Sequence, residues 1–413
     1  MNYNTIDPAG IGEIEMKRSL LLILTFVFID VLGFSLILPL LPYYAAEFQA
    51  TSVIVGLLLS ANALTQMIGS PILGRLSDRH GRKPLLITSI AGTVISFLIL
   101  GWANSLAVLF VSRILDGFLG GNVSLAQAYI TDTTTKDDRS KGLGLIGAAF
   151  GLGFIFGPAL GGVLSVGGNY ARPAFAAAGL AALNLIGALL WLPESLSPED
   201  RLQPGEESSR EFSLRALIKA LRRPCVGPLL NVVLIFGLAF TMFETMFSLF
   251  TQKKLGLTAQ TTSFVLTYVG VVVVLVQGVG IRWLSDRFKD KQLIFGGSLL
   301  LSIGLLGWAL SPSLEILLVA LLPLSLASGM LRVASNSALT KSVYPSEVGG
   351  ILGLSSSMNS FTRVISPLLG SFLLAELSPV APGIAGALLM ASVGIYSWHR
   401  ILFVPAINCE KGG

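Results

Sequence analysis

Long apolar runs alternate with short polar segments along the whole chain, and the apolar runs take up most of its length. A helix that crosses a bilayer needs about 20 predominantly apolar residues. Because lipid offers the backbone no hydrogen-bonding partner, each run of that length is predicted to be a helix. Twelve spans are predicted, at residues 18–44, 52–74, 84–103, 106–131, 141–166, 173–192, 226–251, 260–283, 292–310, 313–341, 347–376 and 381–404.

The composition excludes an ordinary soluble domain. Hydrophobic residues make up 53% of the chain and charged residues 12%, whereas soluble proteins carry about 25% charged residues. A soluble fold with this balance would expose far too much apolar surface. The sequence therefore predicts an all-α membrane protein whose first partner is the lipid bilayer.

Basic residues are distributed unevenly between the polar segments. If the N-terminus lies in the cytoplasm, the cytoplasmic segments hold 22 of the 28 lysines and arginines, and the outer loops hold only Arg172, Lys253 and Lys254. Cytoplasmic loops of membrane proteins carry such an excess, so both termini are predicted to be cytoplasmic. The net charge of +5 then reflects topology, and no nucleic-acid partner is predicted.

The chain carries an internal repeat. Leu-Ser-Asp-Arg occurs at residues 76–79 and again at 284–287, which is 208 residues later. Such symmetry is typical of transporters built from repeated bundles, and it predicts twelve transmembrane helices in two pseudo-symmetric six-helix bundles. The predicted parts are a cytoplasmic tail at 1–17, a bundle at 18–192, a cytoplasmic linker at 193–225, a second bundle at 226–404 and a tail at 405–413.

The linker contains apolar residues at helical spacing, at Leu214, Leu217, Ile218 and Leu221, with arginines and a lysine on the remaining positions. This pattern predicts a basic amphipathic helix on the inner leaflet. An ordinary solvated linker is the alternative.

Six ionisable residues fall within the predicted spans, and each costs about 2.5–3.5 kcal/mol at the bilayer centre. They are therefore expected to face water or one another. Five of them lie on spans 1, 4, 7 and 10, which predicts that these four helices line a central cavity. The six are Asp30, Arg113, Asp116, Glu244, Arg332 and Arg363.

Four of these groups are the candidate proton-coupling residues: Asp30, Arg113, Asp116 and Glu244. Arg113 and Asp116 are i,i+3 neighbours and can pair on one helix face. A buried carboxyl group favours its neutral form and a nearby cation favours the charged form, so a conformational change can load and unload a proton. The alternative is a permanent ion pair that only orients helices. Arg332 could attract an anionic substrate or pair with an acid.

Aromatic and amide side chains on the spans could contact a small-molecule cargo. Their alternative roles are lipid contact and hydrogen bonding between helices. The candidate cavity residues are Phe34, Asn62, Gln66, Gln127, Phe240, Phe243, Arg332, Asn336 and Asn359.

A third group of residues is the candidate conformational gate. Asp78 could sit on the positive N-terminal end of span 11, near Ser346, and Asp286 on that of span 5. Glycine and proline in span 5 allow close packing and a bend, and could form a sliding seam between the halves or serve packing alone. The gate residues are Gly74, Asp78, Arg79, Gly81, Arg82, Asp286, Arg287, Gly157, Pro158 and Gly161.

These motifs resemble those of a known family. The segment Gly74–Pro84, here called the signature hairpin, is similar to the loop after the second helix of Major Facilitator Superfamily transporters. Arg113 with Gly117 resembles the fourth-helix motif, and residues 157–162 resemble the fifth-helix motif of its proton antiporters. Residues 30–33 and 128–132 are similar to bacterial tetracycline/proton antiporters.

The resemblance implies alternating access, export of amphipathic or hydrophobic small molecules in exchange for protons, a monomer and a bacterial inner membrane. Proton symport or facilitated diffusion of a polar solute is the alternative on the same fold. A non-transporting receptor remains a further possibility of the fold. The sequence has no catalytic or nucleotide-binding motif, and its two histidines, His80 and His399, form no cluster, so no enzyme, cofactor or metal site is predicted.

Overall fold

The computed structural model describes residues 8–134, 136–197, 199, 201, 220–344 and 347–402. Every long element in this part of the chain is a helix, as the apolar runs predict. The first eight helices are α1 (Pro8–Ile37), α2 (Leu41–Glu47), α3 (Ser52–His80), α4 (Arg82–Gly101), α5 (Leu106–Leu119), α6 (Asn122–Thr133), α7 (Lys136–Leu164) and α8 (Ala171–Trp191). The remaining seven are α9 (Val226–Leu255), α10 (Ala259–Leu275), α11 (Ile281–Arg287), α12 (Asp290–Leu310), α13 (Leu314–Lys341), α14 (Val348–Glu376) and α15 (Ala381–Ser397).

Eleven helical stretches among the described residues are long and apolar enough to cross a membrane. The remaining predicted span, span 11 at 347–376, forms α14, a helix of 29 residues. It is less apolar than the others because a polar run, Ser355-Ser356-Ser357-Met358-Asn359-Ser360, occupies its middle. The all-helical membrane fold predicted from the sequence is confirmed.

Four predicted spans are not single regular helices, and one of them, span 12, ends in a π-helical turn at Trp398–Leu402. Span 1 turns after Ile37 and resumes as α2, where Pro39 and Pro42 limit helix continuity. Span 4 breaks between α5 and α6 at Gly120 and Gly121, residues with poor helix propensity. Span 8 passes through a π-helical turn at Val276–Gly280. A single continuous helix was therefore the wrong expectation for these spans, although the apolar runs are correctly placed.

The described helices fall into two compact units. The first comprises Met1–Leu38 and Leu64–Ser208. Within it α1 packs against α7 and α8, and α4 packs against α5 and α8. Polar side chains tie helices at fixed points: Asn184 donates to the backbone oxygen of Phe26 at 3.1 Å. The apolar core includes Ile23, Phe26, Val27, Val31, Leu86, Ile90, Leu125, Tyr129 and Ile146.

The second compact unit comprises Pro39–Ala63 and Ser209–Gly413. Within it α12 packs against α13 and α15, and α9 packs against α14 and α15. Its core is aromatic: the Trp308 ring centre lies 5.0 Å from that of Phe243 and 5.1 Å from that of Phe250. Offset and edge contacts of this kind add about 0.5–1.5 kcal/mol beyond area burial.

The segment 39–63 belongs to this second unit through specific bonds. The Tyr43 hydroxyl lies 2.7 Å from Thr262 Oγ1 and donates to the backbone oxygen of Leu257 at 3.0 Å. Lys253 Nζ donates to Ser52 Oγ at 2.6 Å. The bundle limits 18–192 and 226–404 stay a prediction, and the amphipathic stretch around Leu214 to Ile218 lies outside the described residues.

Candidate functional site

A buried polar cluster in the first unit joins three helices. The Asn122 amide nitrogen donates to Asp30 Oδ1 at 2.5 Å and to Thr93 Oγ1 at 3.2 Å. A side-chain amide has two N–H groups, so these two bonds use both. Asn122 opens α6 directly after the Gly120–Gly121 break and is 5% exposed, which places its amide beside α1 and α4.

The predicted pair of Arg113 and Asp116 forms on α5. Arg113 Nη1 lies 3.3 Å from Asp116 Oδ2, and both side chains are buried. The guanidinium also lies 5.5 Å from the centre of the Phe97 ring and donates from Nε to Ser112 Oγ at 3.2 Å. The helical spacing of three residues accounts for the pair.

Asp30 and Asp116 also interact through their charges, since each carboxylate raises the energy of the other. The cluster of Asp30, Arg113, Asp116, Asn122 and Thr93, here called the acid cluster, therefore contains two acids and one arginine. With both acids ionised it carries one net negative charge. A single proton makes the set neutral.

The second unit contains a different charged group. The Arg332 guanidinium on α13 lies 5.9 Å from the centre of the Phe240 ring on α9. Its charge is attracted by Glu244 and repelled by Arg363. Glu244, which the sequence predicts to be a proton-coupling residue, therefore belongs to the second unit, whereas the acid cluster belongs to the first.

The signature hairpin is held by Arg82. Its guanidinium donates from Nη1 to Asp78 Oδ1 at 2.5 Å and from Nε to Asp132 Oδ2 at 2.7 Å, and Ser77 Oγ accepts at 2.6 Å. Arg82 is 5% exposed. Ser346, near the expected partner of Asp78, lies outside the described residues, and the contact of Asp78 with the start of span 11 stays a prediction. The observed partner of Asp78 is Arg82, four residues later in the same hairpin.

Glu194, which follows α8, caps the start of α4. Its Oε1 accepts from the backbone N–H of Arg82 at 2.8 Å and of Lys83 at 3.4 Å. A carboxylate at a helix N-terminus is stabilised by the unpaired N–H groups and the helix dipole. Gly81 precedes that helix with φ of +102°, and a Cβ at this position would overlap the Glu194 carboxylate.

The second copy of the Leu-Ser-Asp-Arg motif has different surroundings. The Arg287 guanidinium stacks over the Trp283 ring at 4.2 Å from its centre. Asp286 is exposed and makes no hydrogen bond or ion pair within the described part of the chain. The two copies of the motif therefore share their sequence, but their side chains make different contacts.

Span 5 packs closely on α1 through its glycines. A Cβ on Gly153 would lie 2.7 Å from Val31 Cγ1, and one on Gly157 would overlap Ser35 Oγ. Ser35 Oγ also donates to the backbone oxygen of Gly153 at 2.8 Å. Pro158 and Gly161 are buried in the same helix. These contacts lie within the first unit.

Comparison with known proteins decides the family. The family model described as Major Facilitator Superfamily matches residues 23–283 and 254–406. The chain belongs to the Major Facilitator Superfamily. It is a membrane transporter and not an enzyme.

Individual relatives of this facilitator cover most of its length. It is 29% identical over 364 residues to Multidrug resistance protein 2 of Bacillus subtilis (strain 168), covering 87% of this chain and 89% of that one. It is 29% identical over 361 residues to the class H tetracycline resistance protein of Pasteurella multocida, with 87% and 89% covered. A crystal structure of the peptide transporter POT in complex with sulfate superposes with a TM-score of 0.77 at 16% identity, covering 96% of each chain.

The facilitator's predicted cavity residues have mixed surroundings. Phe34 packs edge-on against Phe154 at 6.5 Å, and Gln66 donates to the backbone oxygen of Gly120 at 3.2 Å. Phe243 is 1% exposed and packs against Trp308, which places it in the aromatic core of the second unit, and its cavity-lining role stays a prediction. Asn62 is half-buried, and the exposed members are Gln127, Arg332, Asn336 and Asn359.

Three residues that bond to the predicted ones were not among the site residues predicted from the sequence, and Asp132 entered only within the stretch 128–132 that resembles tetracycline/proton antiporters. Asn122 could have been suspected only because an amide follows two glycines inside a span. Asp132 and Glu194 complete the hairpin from positions 50 and 112 residues beyond Arg82. No local pattern reports such distant contacts.

Proposed function

We propose that this facilitator is a proton-coupled antiporter that exports amphipathic or hydrophobic small molecules by alternating access. The acid cluster carries the proposal, because it holds two carboxylates against one guanidinium in a buried site. The printed names of its bacterial relatives, a multidrug resistance protein and tetracycline resistance proteins, support efflux as the direction.

Asp30 is the proposed proton carrier. With Asp30 protonated, Arg113 and Asp116 balance each other and the cluster is neutral. With Asp30 ionised, one unbalanced charge remains, which costs about 2.5–3.5 kcal/mol in the hydrocarbon layer. The transporter can therefore enclose the neutral cluster away from water at a lower cost in free energy than the charged cluster.

Asn122 influences how readily Asp30 releases its proton. Its amide donor stabilises the ionised form of Asp30, while burial stabilises the protonated form. A movement of α6 relative to α1 changes the 2.5 Å contact and thereby the balance between the two forms. The break at Gly120–Gly121 lets α6 move without bending α5.

The transporter is further proposed to be a monomer in a bacterial inner membrane with both termini in the cytoplasm, as the distribution of lysine and arginine predicts. The signature hairpin then lies on the cytoplasmic side. There Arg82, Asp78, Asp132 and Glu194 fix α3, α4 and the ends of α6 and α8 to one another.

The test uses purified protein in liposomes with a pH-sensitive dye inside and a preformed pH gradient. Tetracycline and ethidium are added as cargo. The proposal predicts that at least one of them dissipates the gradient, with Glu376→Gln, an exposed acid at the end of α14, behaving as wild type. Passive equilibration of cargo without proton movement would support facilitated diffusion instead.

A further inference from the structure

Three charged side chains of the second unit lie deep in their helices and on neighbouring elements. Glu244 is on α9, Arg332 on α13 and Arg363 on α14. Each is about 13 Å or more from both ends of its helix at about 1.5 Å per residue. They interact through their charges, with Arg332 attracted to Glu244 and repelled by Arg363.

The side chains of these three residues have surface that a small molecule can reach. Arg332 and Arg363 are exposed and Glu244 is half-buried. Within the described ranges, none of the three makes a hydrogen bond or an ion pair. A guanidinium in contact with lipid alone would be costly, so these groups must face water. Two arginines against one glutamate leave one positive charge in excess.

An aromatic surface lies directly beside the charges. The Arg332 guanidinium is 5.9 Å from the centre of the Phe240 ring. Phe240 is half-buried and stacks on Phe236 with ring centres 5.7 Å apart. Phe236 thus packs on one side of the Phe240 ring, and the Arg332 guanidinium lies over the ring.

Close helix packing fixes the position of α14 against α9. A Cβ on Gly237 would lie 3.0 Å from Thr362 Oγ1 and 3.4 Å from Asn359 Oδ1. Ser366 Oγ donates to the backbone oxygen of Leu238 at 3.1 Å. Arg363 follows Thr362 directly, so its backbone lies beside the turn of α9 that holds Gly237, three residues before Phe240.

We propose that Phe240, Glu244, Arg332, Asn359 and Arg363, here called the arginine surface, bind an aromatic organic anion with a single carboxylate. Guanidinium groups match the two oxygens of a carboxylate with paired N–H donors, and Phe240 supplies the wall for the ring. Glu244 balances one arginine, so the surface suits a monoanion. This inference rests on the proposed function in one respect, that the bound anion is cargo.

The test measures equilibrium binding to full-length protein in nanodiscs without any pH gradient. The probes share one ring system and differ in charge: 2-naphthoate, 2-naphthamide and 2-naphthylmethylammonium. Naphthoate is expected to bind about 10-fold or more tightly than the amide, because a hydrogen bond to a charged group contributes about 1.5–3 kcal/mol. The ammonium is expected to bind most weakly.

Substitutions test which residues cause the preference for naphthoate over naphthamide. Arg332→Gln and Arg363→Gln are each expected to remove most of the difference between naphthoate and naphthamide, while a monodisperse elution profile of each variant reports that the protein is folded. Arg332→Lys should retain part of it, since it keeps the charge and loses the paired donors. Arg172→Gln, at an exposed position on α8, is the matched control. Equal binding of the three probes, or an unchanged preference in both glutamine variants, would overturn the proposal.

Failure of the anion site is distinguishable from failure of proton coupling. If naphthoate binds through the two arginines but no cargo dissipates a pH gradient, the arginine surface stands and the antiport proposal falls. If tetracycline or ethidium moves protons while naphthoate binds no better than its amide, antiport stands and the anion assignment falls.

Discussion

Asn122 donates its side-chain amide to Asp30 Oδ1 at 2.5 Å, and this bond joins the first residue of α6 to the C-terminal part of α1. The same amide reaches Thr93 on α4. The break after α5 is what gives Asn122 this position. Asp30 is therefore set in a hydrogen-bonded site that spans three helices, and its proton affinity depends on how those helices are arranged.

Replacing Asn122 by Leu should destabilise the protein by about 1–3 kcal/mol, because a buried acid loses its donor. The double variant Asp30→Leu with Asn122→Leu should lose clearly less stability than the two single losses together, since contacting residues are coupled. Detergent-induced unfolding of the purified variants measures this. Strictly additive losses would mean that the bond contributes nothing.

Replacing Arg82 by Ala should destabilise the protein by about 1.5–3 kcal/mol, because it removes a buried guanidinium that bonds two partly exposed acids. Arg82 holds Asp78 and Asp132 at 2.5 and 2.7 Å. Arg79→Ala is the matched control, since Arg79 lies in the same hairpin and is exposed. The same unfolding assay compares the two variants, and equal effects would contradict the network.

Two glycines of the hairpin should respond oppositely to Ala. At Gly81 the φ of +102° and the overlap with Glu194 disfavour a side chain, so Gly81→Ala is expected to cost about 1–3 kcal/mol. At Gly74 no atom lies within 4 Å of the added carbon and the residue is helical, so Gly74→Ala should stabilise by about 0.5–1 kcal/mol. Thermal unfolding in detergent checks both signs; a stabilised Gly81→Ala would refute the explanation.

The contact between α7 and α1 gives a similar pair. Gly157→Ala must push α7 away from Ser35 and Leu32, and overpacking of this kind costs about 1–3 kcal/mol. Gly147→Ala in the same helix meets nothing within 4 Å and should be neutral or stabilising. The melting temperatures of the two variants measure the difference, and a neutral Gly157→Ala would show that the helices can separate freely.

How much the sequence predicts depends on how far apart along the chain the interacting residues lie. Apolar length places the spans, because lipid leaves the backbone no other solution. The pair of Arg113 and Asp116 is local, so helical spacing predicts it. The contacts of Asp132 and Glu194 with the hairpin depend on how distant helices pack, and no periodicity encodes that. The core position of Phe243 was missed for the same reason, since an inward and an outward aromatic look alike along the chain.

The hydrophobic pattern also did not predict where helices break inside the predicted spans. Gly120 and Gly121 lie inside predicted span 4, and the hydrophobic pattern does not show that α5 ends there. The break matters to the proposed proton site, because α6 begins after it with Asn122, which bonds to Asp30. Asp30 and Asp116 could thus be identified from the sequence, whereas Asn122, which bonds to Asp30, could not.

The most direct test of proton coupling compares two transport modes of Asp30→Asn in liposomes. In wild type, a cargo that dissipates the pH gradient should also accumulate against its own gradient when a pH gradient is imposed. In Asp30→Asn, exchange of labelled for unlabelled cargo should persist while pH-driven accumulation falls to background, because the amide cannot carry the proton. Undiminished pH-driven accumulation by Asp30→Asn would contradict the account and remove Asp30 from the proton path.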